Sequence, residues 1–171
     1  MHIHSEPLCV CGQNHPFDIQ GDGTLFARRY IKNIFEVLGF ETTVPIFYGN
    51  VGTAATFKAS SGSYIVYDDQ FFNRLHSTYP MVPISILAHE VGHLVGQHQE
   101  NPDSHIRELE ADRISGRVLK RFGASPEQAI LWQKLFPTES NPSHPNSDQR
   151  IQAILEGYHA CSRGKRAVNS I

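Results

Sequence analysis

Apolar residues at Leu25, Phe26, Tyr30, Ile31, Ile34, Phe35 and Leu38 recur at helical spacing, which predicts a helix over residues 24–38 that stops at Gly39. Three short β-prone stretches follow, Thr42–Tyr48, Thr53–Ala59 and Ser63–Tyr67, separated by Gly and Ser. From there on the pattern is helical. A short helix is expected at Asp69–Leu75, a longer one from near Pro83 to about Gln97, and others at Ser104–Phe122, Pro126–Leu135 and Ser147–Tyr158. Pro137–Asn146 reads as a loop, and residues 1–23, polar and rich in His, Gly and Pro, read as an irregular segment. Strands first and helices after predict an α+β domain over residues 24–160, with a small antiparallel or mixed sheet packed on helices and a tail at 161–171.

Projected at 100° per residue, the 84–97 helix puts Ile84, Leu87, Val91, Leu94 and Val95 on one side and His89 with His93 on another. Gly92 and Gly96 lie beside the histidines and leave a bare strip for a second helix to approach. His89-Glu90-Val91-Gly92-His93 spells H-E-x-x-H. Residues four apart lie about 40° apart around a helix, so both imidazoles can reach one metal ion. Glu90 then sits where a general base for a zinc-bound water belongs.

A catalytic zinc takes three protein ligands, and Arg107-Glu108-Leu109-Glu110-Ala111-Asp112 offers two glutamates. Arg107, Glu110, Arg113, Arg117, Lys120 and Arg121 share one charged face of the 104–122 helix, whereas Glu108 and Asp112 project the opposite way with Ala111, Ser115, Leu119 and Phe122. A carboxylate aimed at a core is costly unless paired or metal-bound. Glu108 is therefore the expected third ligand and Glu110 a solvated charge. Asp112, one turn on, is expected to accept a hydrogen bond from a ligand histidine, with a buried cap or a salt bridge to Arg113 or Arg150 as its competing use.

Composition narrows the setting. The 171 residues suit one domain with its own core, and 15 basic against 17 acidic residues give no reason to expect nucleic acid or an anionic membrane as partner. No apolar run approaches the roughly 20 residues of a transmembrane helix, and Met1-His2-Ile3-His4-Ser5 is not a signal peptide. Cys9, Cys11 and Cys161 make no disulfide framework. A soluble, cytoplasmic monomer is the expectation. Cys9-Val10-Cys11 with His15, His2 or His4 matches no standard zinc spacing, His98 reads as structural, and Arg163-Gly164-Lys165-Arg166 reads as a solvated end.

H-E-x-x-H followed by Glu108-Leu109-Glu110-Ala111-Asp112, an E-x-x-A-D string, resembles the M48-type gluzincin metallopeptidases. Tyr64-Ile65-Val66-Tyr67-Asp68, Phe71-Phe72 and Ile86-Leu87-Ala88-His89 are similar to that group's strand, short helix and active-site helix. Ser143-His144-Pro145 with Arg150-Ile151 resembles its later H-P-x-x-x-x-R motif. The resemblance implies a zincin or minigluzincin-like fold and hydrolysis of peptide or protein substrates. One Zn²⁺ per chain would sit on His89, His93 and Glu108, with Glu90 as general base. It also places His144 and Arg150 near the active site, where either steadies the tetrahedral oxyanion, or His144 instead caps the zinc in a resting state. The group carries an Asn-Ala-x-Ala-like segment on the strand edging its cleft. In this chain either Asn50 or the Thr53, Ala54, Ala55 stretch takes that place, and its small residues on an exposed edge would let a substrate backbone add as an extra strand. Two other classes share the motif: a regulatory protease of the ImmA/IrrE type, and a non-catalytic binding or chaperone-like module in which the zinc is structural.

Overall fold

Side-chain caps set where several helices begin. In the computed structural model, which describes residues 6–10, 18–97 and 101–160, Thr24 Oγ1 accepts from Ala27 N at the start of α1 (Leu25–Leu38), and Gly39, at φ 87°, ends that helix in the left-handed conformation a glycine adopts without strain. Asp68 Oδ1 accepts from Phe71 N before α2 (Asp69–Thr78). Helix α3 (Met81–Val95) carries Pro83 in its first turn, where the missing N–H costs nothing. Asp103 Oδ1 accepts from His105 N before α4 (Ser104–Arg121). The helix expected at 126–135 is broken at Ile130 into α5 (Pro126–Ala129) and α6 (Leu131–Leu135), and α7 spans Ser147–Ala160.

The sheet contains β1 (Glu6–Val10), β2 (Ile19–Asp22), β3 (Ile46–Gly49), β4 (Ala54–Ala59) and β5 (Gly62–Tyr67), in the order β1-β4-β5-β3-β2. The β3–β5 pair is parallel and the other pairs are antiparallel, so the sheet is mixed. Residues 1–23 are thus not wholly irregular: they supply both edge strands. The strand expected at 42–48 begins only at Ile46. Alternation along β4 and β5 sends Ala54, Ile65 and Tyr67 into the main core, with Ile31, Ile34, Phe35, Phe72, Leu87 and Val91. Ala55, Phe57, Tyr64 and Val66 form a smaller cluster of their own. Among the described residues no helix is long and apolar enough to cross a membrane.

Helix α3 is buried continuously from Val82 to His93 rather than along one core face. Strand β4 touches it where Thr56 reaches Glu90, and α4 packs along it. A Cβ on Gly92 would stand 2.7 Å from Ala111 Cα, so only glycine allows this approach, as the bare strip predicts. Gly96 instead lies against the Glu110 carboxylate. Ser115 Oγ donates to the Ser85 carbonyl at 3.1 Å and fixes the α3–α4 register. The α4–α7 crossing is as close: a methyl on Gly116 would overlap the Ile154 carbonyl, and one on Gly157 that of Arg113. That crossing brings the first turn of α7 against the middle of α4.

Candidate metal centre

Helical spacing turns His89 and His93 toward the same point, and their Nε2 atoms stand 3.0 Å apart. Helix α4 delivers Glu108, with Oε1 3.2 Å from His93 Nε2 and Oε2 3.4 Å from His89 Nε2. All three side chains are buried. Among the described residues they form the group of His, Cys, Asp and Glu donors that could hold a metal ion. The spacing is close to what one ion needs: ligands about 2.0–2.2 Å from a tetrahedral ion stand roughly 3.3–3.6 Å apart, and these donor atoms lie at or slightly inside that range. The charge fits as well. The buried acids and bases of fixed charge are Glu90, Glu108 and Asp112 against Arg150. In ionised form the carboxylates exceed the guanidinium by two charges, which a divalent cation offsets.

Asp112 takes the position expected of it. Its Oδ1 accepts from His89 Nδ1 at 2.8 Å, so the proton lies on Nδ1 and the Nε2 lone pair faces the ligand cluster. Its competing use is realised too. Arg150 donates from Nε to Asp112 Oδ2 at 2.8 Å and from Nη2 to Oδ1 at 3.0 Å, a two-pronged pair at 4% exposure for Arg150 and 1% for Asp112. Arg150 Nη2 also stands 3.7 Å from Glu108 Oε2. Burial is the strongest single influence on Asp112 and pushes its pKa up. The charge of Arg150, with the hydrogen bonds from His89 and Arg150, outweighs it and holds the carboxyl below its usual range. With a depressed folded-state pKa, the pair stabilises the fold above the ordinary carboxylate range, and that contribution is lost as pH falls through the folded value.

Glu90 is fully buried and held from β4. Thr56 Oγ1 lies 2.8 Å from Glu90 Oε2 and 3.0 Å from the Glu90 carbonyl, and its single proton serves one of the two at a time. Sequence reasoning missed Thr56, although its phase with Ala54 puts a hydroxyl on the helix-facing side of β4, where only a partnered polar group is tolerated.

His144 stands beside Glu108, partly buried, with Nε2 3.9 Å from Glu108 Oε2. Its loop is built around Asn141, whose Oδ1 accepts from the Ser143 and His144 backbone N–H groups. Ser104 Oγ donates to the Pro142 carbonyl and His105 Nε2 to that of Asn141, pinning the loop to the first turn of α4.

Three expectations are corrected. Glu110 is not a free surface charge: its Oε1 accepts from Gln97 N at 2.8 Å just past the end of α3, and the residue is half-buried. Arg150 is engaged with Asp112 and stands close to His89 and Glu108, so its guanidinium is committed to this buried cluster. The Asn50, Thr53, Ala54 and Ala55 segment is not an exposed edge. Asn50 follows β3 and accepts from Asp18 N, the Thr53 carbonyl accepts from Asp68 N, and Ala54 and Ala55 are buried in a strand paired on both sides. His2, His4, Cys11, His15, His98, Cys161 and the 163–166 cluster lie outside the described residues, as does the side chain of Cys9. Comparisons with protein-family models, with curated proteins and with solved structures give no match to this chain.

Proposed function

We propose that this chain is a metal-dependent endopeptidase of the M48-like, zincin type, with zinc as its ion. The observation that carries the reading is the buried donor set of His89, His93 and Glu108 beside a further buried carboxylate, Glu90, that belongs to the same helix but not to the ligand group. A purely structural metal site has no use for that carboxylate. Two imidazoles and one carboxylate are the protein donors of a catalytic zinc, whose fourth position is left to water or substrate.

When bound, the ion would supply Lewis acidity that polarises a substrate carbonyl and eases removal of a water proton. Glu90 accepts that proton at its carboxylate and returns it to the leaving amine. Thr56 holds Glu90 Oε2 and so limits rotation of the carboxylate. Asp112 keeps His89 in the tautomer whose Nε2 can act as ligand, and Arg150 fixes Asp112. His144, beside Glu108, would donate to a carbonyl oxygen as negative charge develops on it.

The test is mass-spectrometric detection of cleavage in a proteome-derived peptide library, with zinc-loaded wild type beside Glu90→Gln. Wild type should give products, and the variant should retain zinc with turnover lower by about 10²–10⁴-fold. Equal cleavage by both, or none by zinc-loaded wild type, removes the peptidase reading and leaves a metal-bound binding module. A second variant probes the base's support. Thr56→Val keeps the shape and loses the hydroxyl, so kcat should fall about tenfold with KM and zinc content unchanged, and Thr56→Ser should recover most of it. Loss of zinc or of folding in Thr56→Val would show that the hydroxyl serves packing instead.

A further inference from the structure

The edge that a substrate strand would need is already taken, by the chain itself. Strand β4 carries Thr56, the residue that holds Glu90, and pairs with β5 on one side in unbroken register from Ala54↔Tyr67 to Ala59↔Gly62. On its other side lies β1, antiparallel, with Glu6 opposite Lys58, Pro7 opposite Phe57, Cys9 opposite Thr56 and Val10 opposite Ala55. Among the described residues β1 is the outermost strand of the sheet, with β4 as its one strand neighbour.

The two sides of β4 differ in how firmly they are closed. The β4–β5 ladder has no irregularity, whereas the β1 pairing shifts register between Pro7 and Cys9. Pro7 offers no N–H to the ladder, a trait of edge strands. Such a strand is joined to β4 by backbone pairing, which any extended polypeptide of the same direction can reproduce. Its register places it directly alongside the β4 residue that contacts the general base.

We propose that β1 is a displaceable strand occupying the β4 edge, and that the partner for this surface is an extended, unstructured polypeptide segment pairing antiparallel to residues 55–58 in its place. The inference rests on the peptidase reading for what happens to that segment, but the pairing itself does not require turnover. Exchange of β1 for a substrate strand makes access to the centre conditional. Folded proteins, whose strands are already paired, are excluded, and the apparent affinity for a peptide is lowered by the fraction of molecules in which β1 stays in place.

The experiment uses the full chain with Cys9, Cys11 and Cys161 replaced by Ser and with Glu90→Gln to prevent cleavage. Glu6→Cys and Lys58→Cys are added at the directly opposed pair, a position whose spacing suits a disulfide. Binding of fluorescein-labelled casein, an unfolded polypeptide, is followed by anisotropy in the oxidised and the phosphine-reduced protein. Oxidation should weaken binding at least about tenfold, and reduction should restore it. In the same background without the two new cysteines, Val10→Pro, which removes an N–H beside Ala55, should strengthen binding. Equal binding in both redox states, or no binding in either, overturns the proposal. Wild-type turnover decides the peptidase reading separately. Cleavage by wild type together with a disulfide that changes nothing would keep the enzyme and discard the displaceable strand. A redox-dependent affinity without any cleavage would do the reverse.

Discussion

Arg150→Ala should cost the metal-free protein about 3–5 kcal/mol of stability, the loss typical when one partner of a buried charge pair is removed. At this chain length that is a fall of roughly 6–20 °C in Tm, read by thermal unfolding with the metal removed. The size follows from the surroundings: the guanidinium is two-pronged on Asp112, near Glu108, and the one fixed positive charge among the described buried residues. The effect has a pH signature. In wild type the Asp112 pKa is depressed, so the pair contributes fully above the carboxylate range and less in acid. Without Arg150, burial should dominate and Asp112 should take up a proton at higher pH. The gap between variant and wild type should therefore narrow as pH falls. A gap below about 1 kcal/mol at neutral pH would mean that the cluster is not held by this pair.

Glu108→Ala should cost more metal affinity than any other single change in α4, because it deletes one of three donors. The loss should exceed the roughly 10–100-fold typical of removing an outer hydrogen-bond partner, which is the range expected for Asp112→Asn. Glu110→Ala should leave affinity near wild type, since that carboxylate is engaged with the backbone of Gln97. Competition against a chromophoric chelator measures all three. If Glu110→Ala behaved like Glu108→Ala, the ligand would have been assigned to the wrong glutamate.

Choosing between those glutamates was possible from sequence because helix periodicity is rigid: Glu108 and Asp112 share a side with Ala111 and Ser115, and all four are buried. The stop at Gly39 and Pro83 in a first turn made the end of α1 and the start of α3 legible for the same local reason. Arg150 was legible only in part. The buried residues of α7 are Arg150, Ala153, Ile154, Gly157 and Tyr158, the spacing of one helical stripe, and an arginine heading such a stripe signals a buried partner. What remained hidden is non-local. Strands β1 and β2 are short and polar, and pairing across the sheet, not their own pattern, makes them strands. The hydrogen bond from Thr56 to Glu90 spans elements whose apposition no local periodicity encodes. The expected open edge at 50–55 failed because sequence order does not reveal which strand lies outermost.

The most direct test of the metal centre is X-ray absorption at the zinc edge of the 171-residue chain loaded with one equivalent of zinc. Zinc at this centre should show a shell of nitrogen and oxygen at about 2.0–2.2 Å, with the outer-shell scattering of two imidazoles, reduced to one imidazole in His93→Ala. A sulfur shell near about 2.3 Å, or an imidazole count unchanged in His93→Ala, would place the zinc elsewhere and contradict the centre at His89, His93 and Glu108.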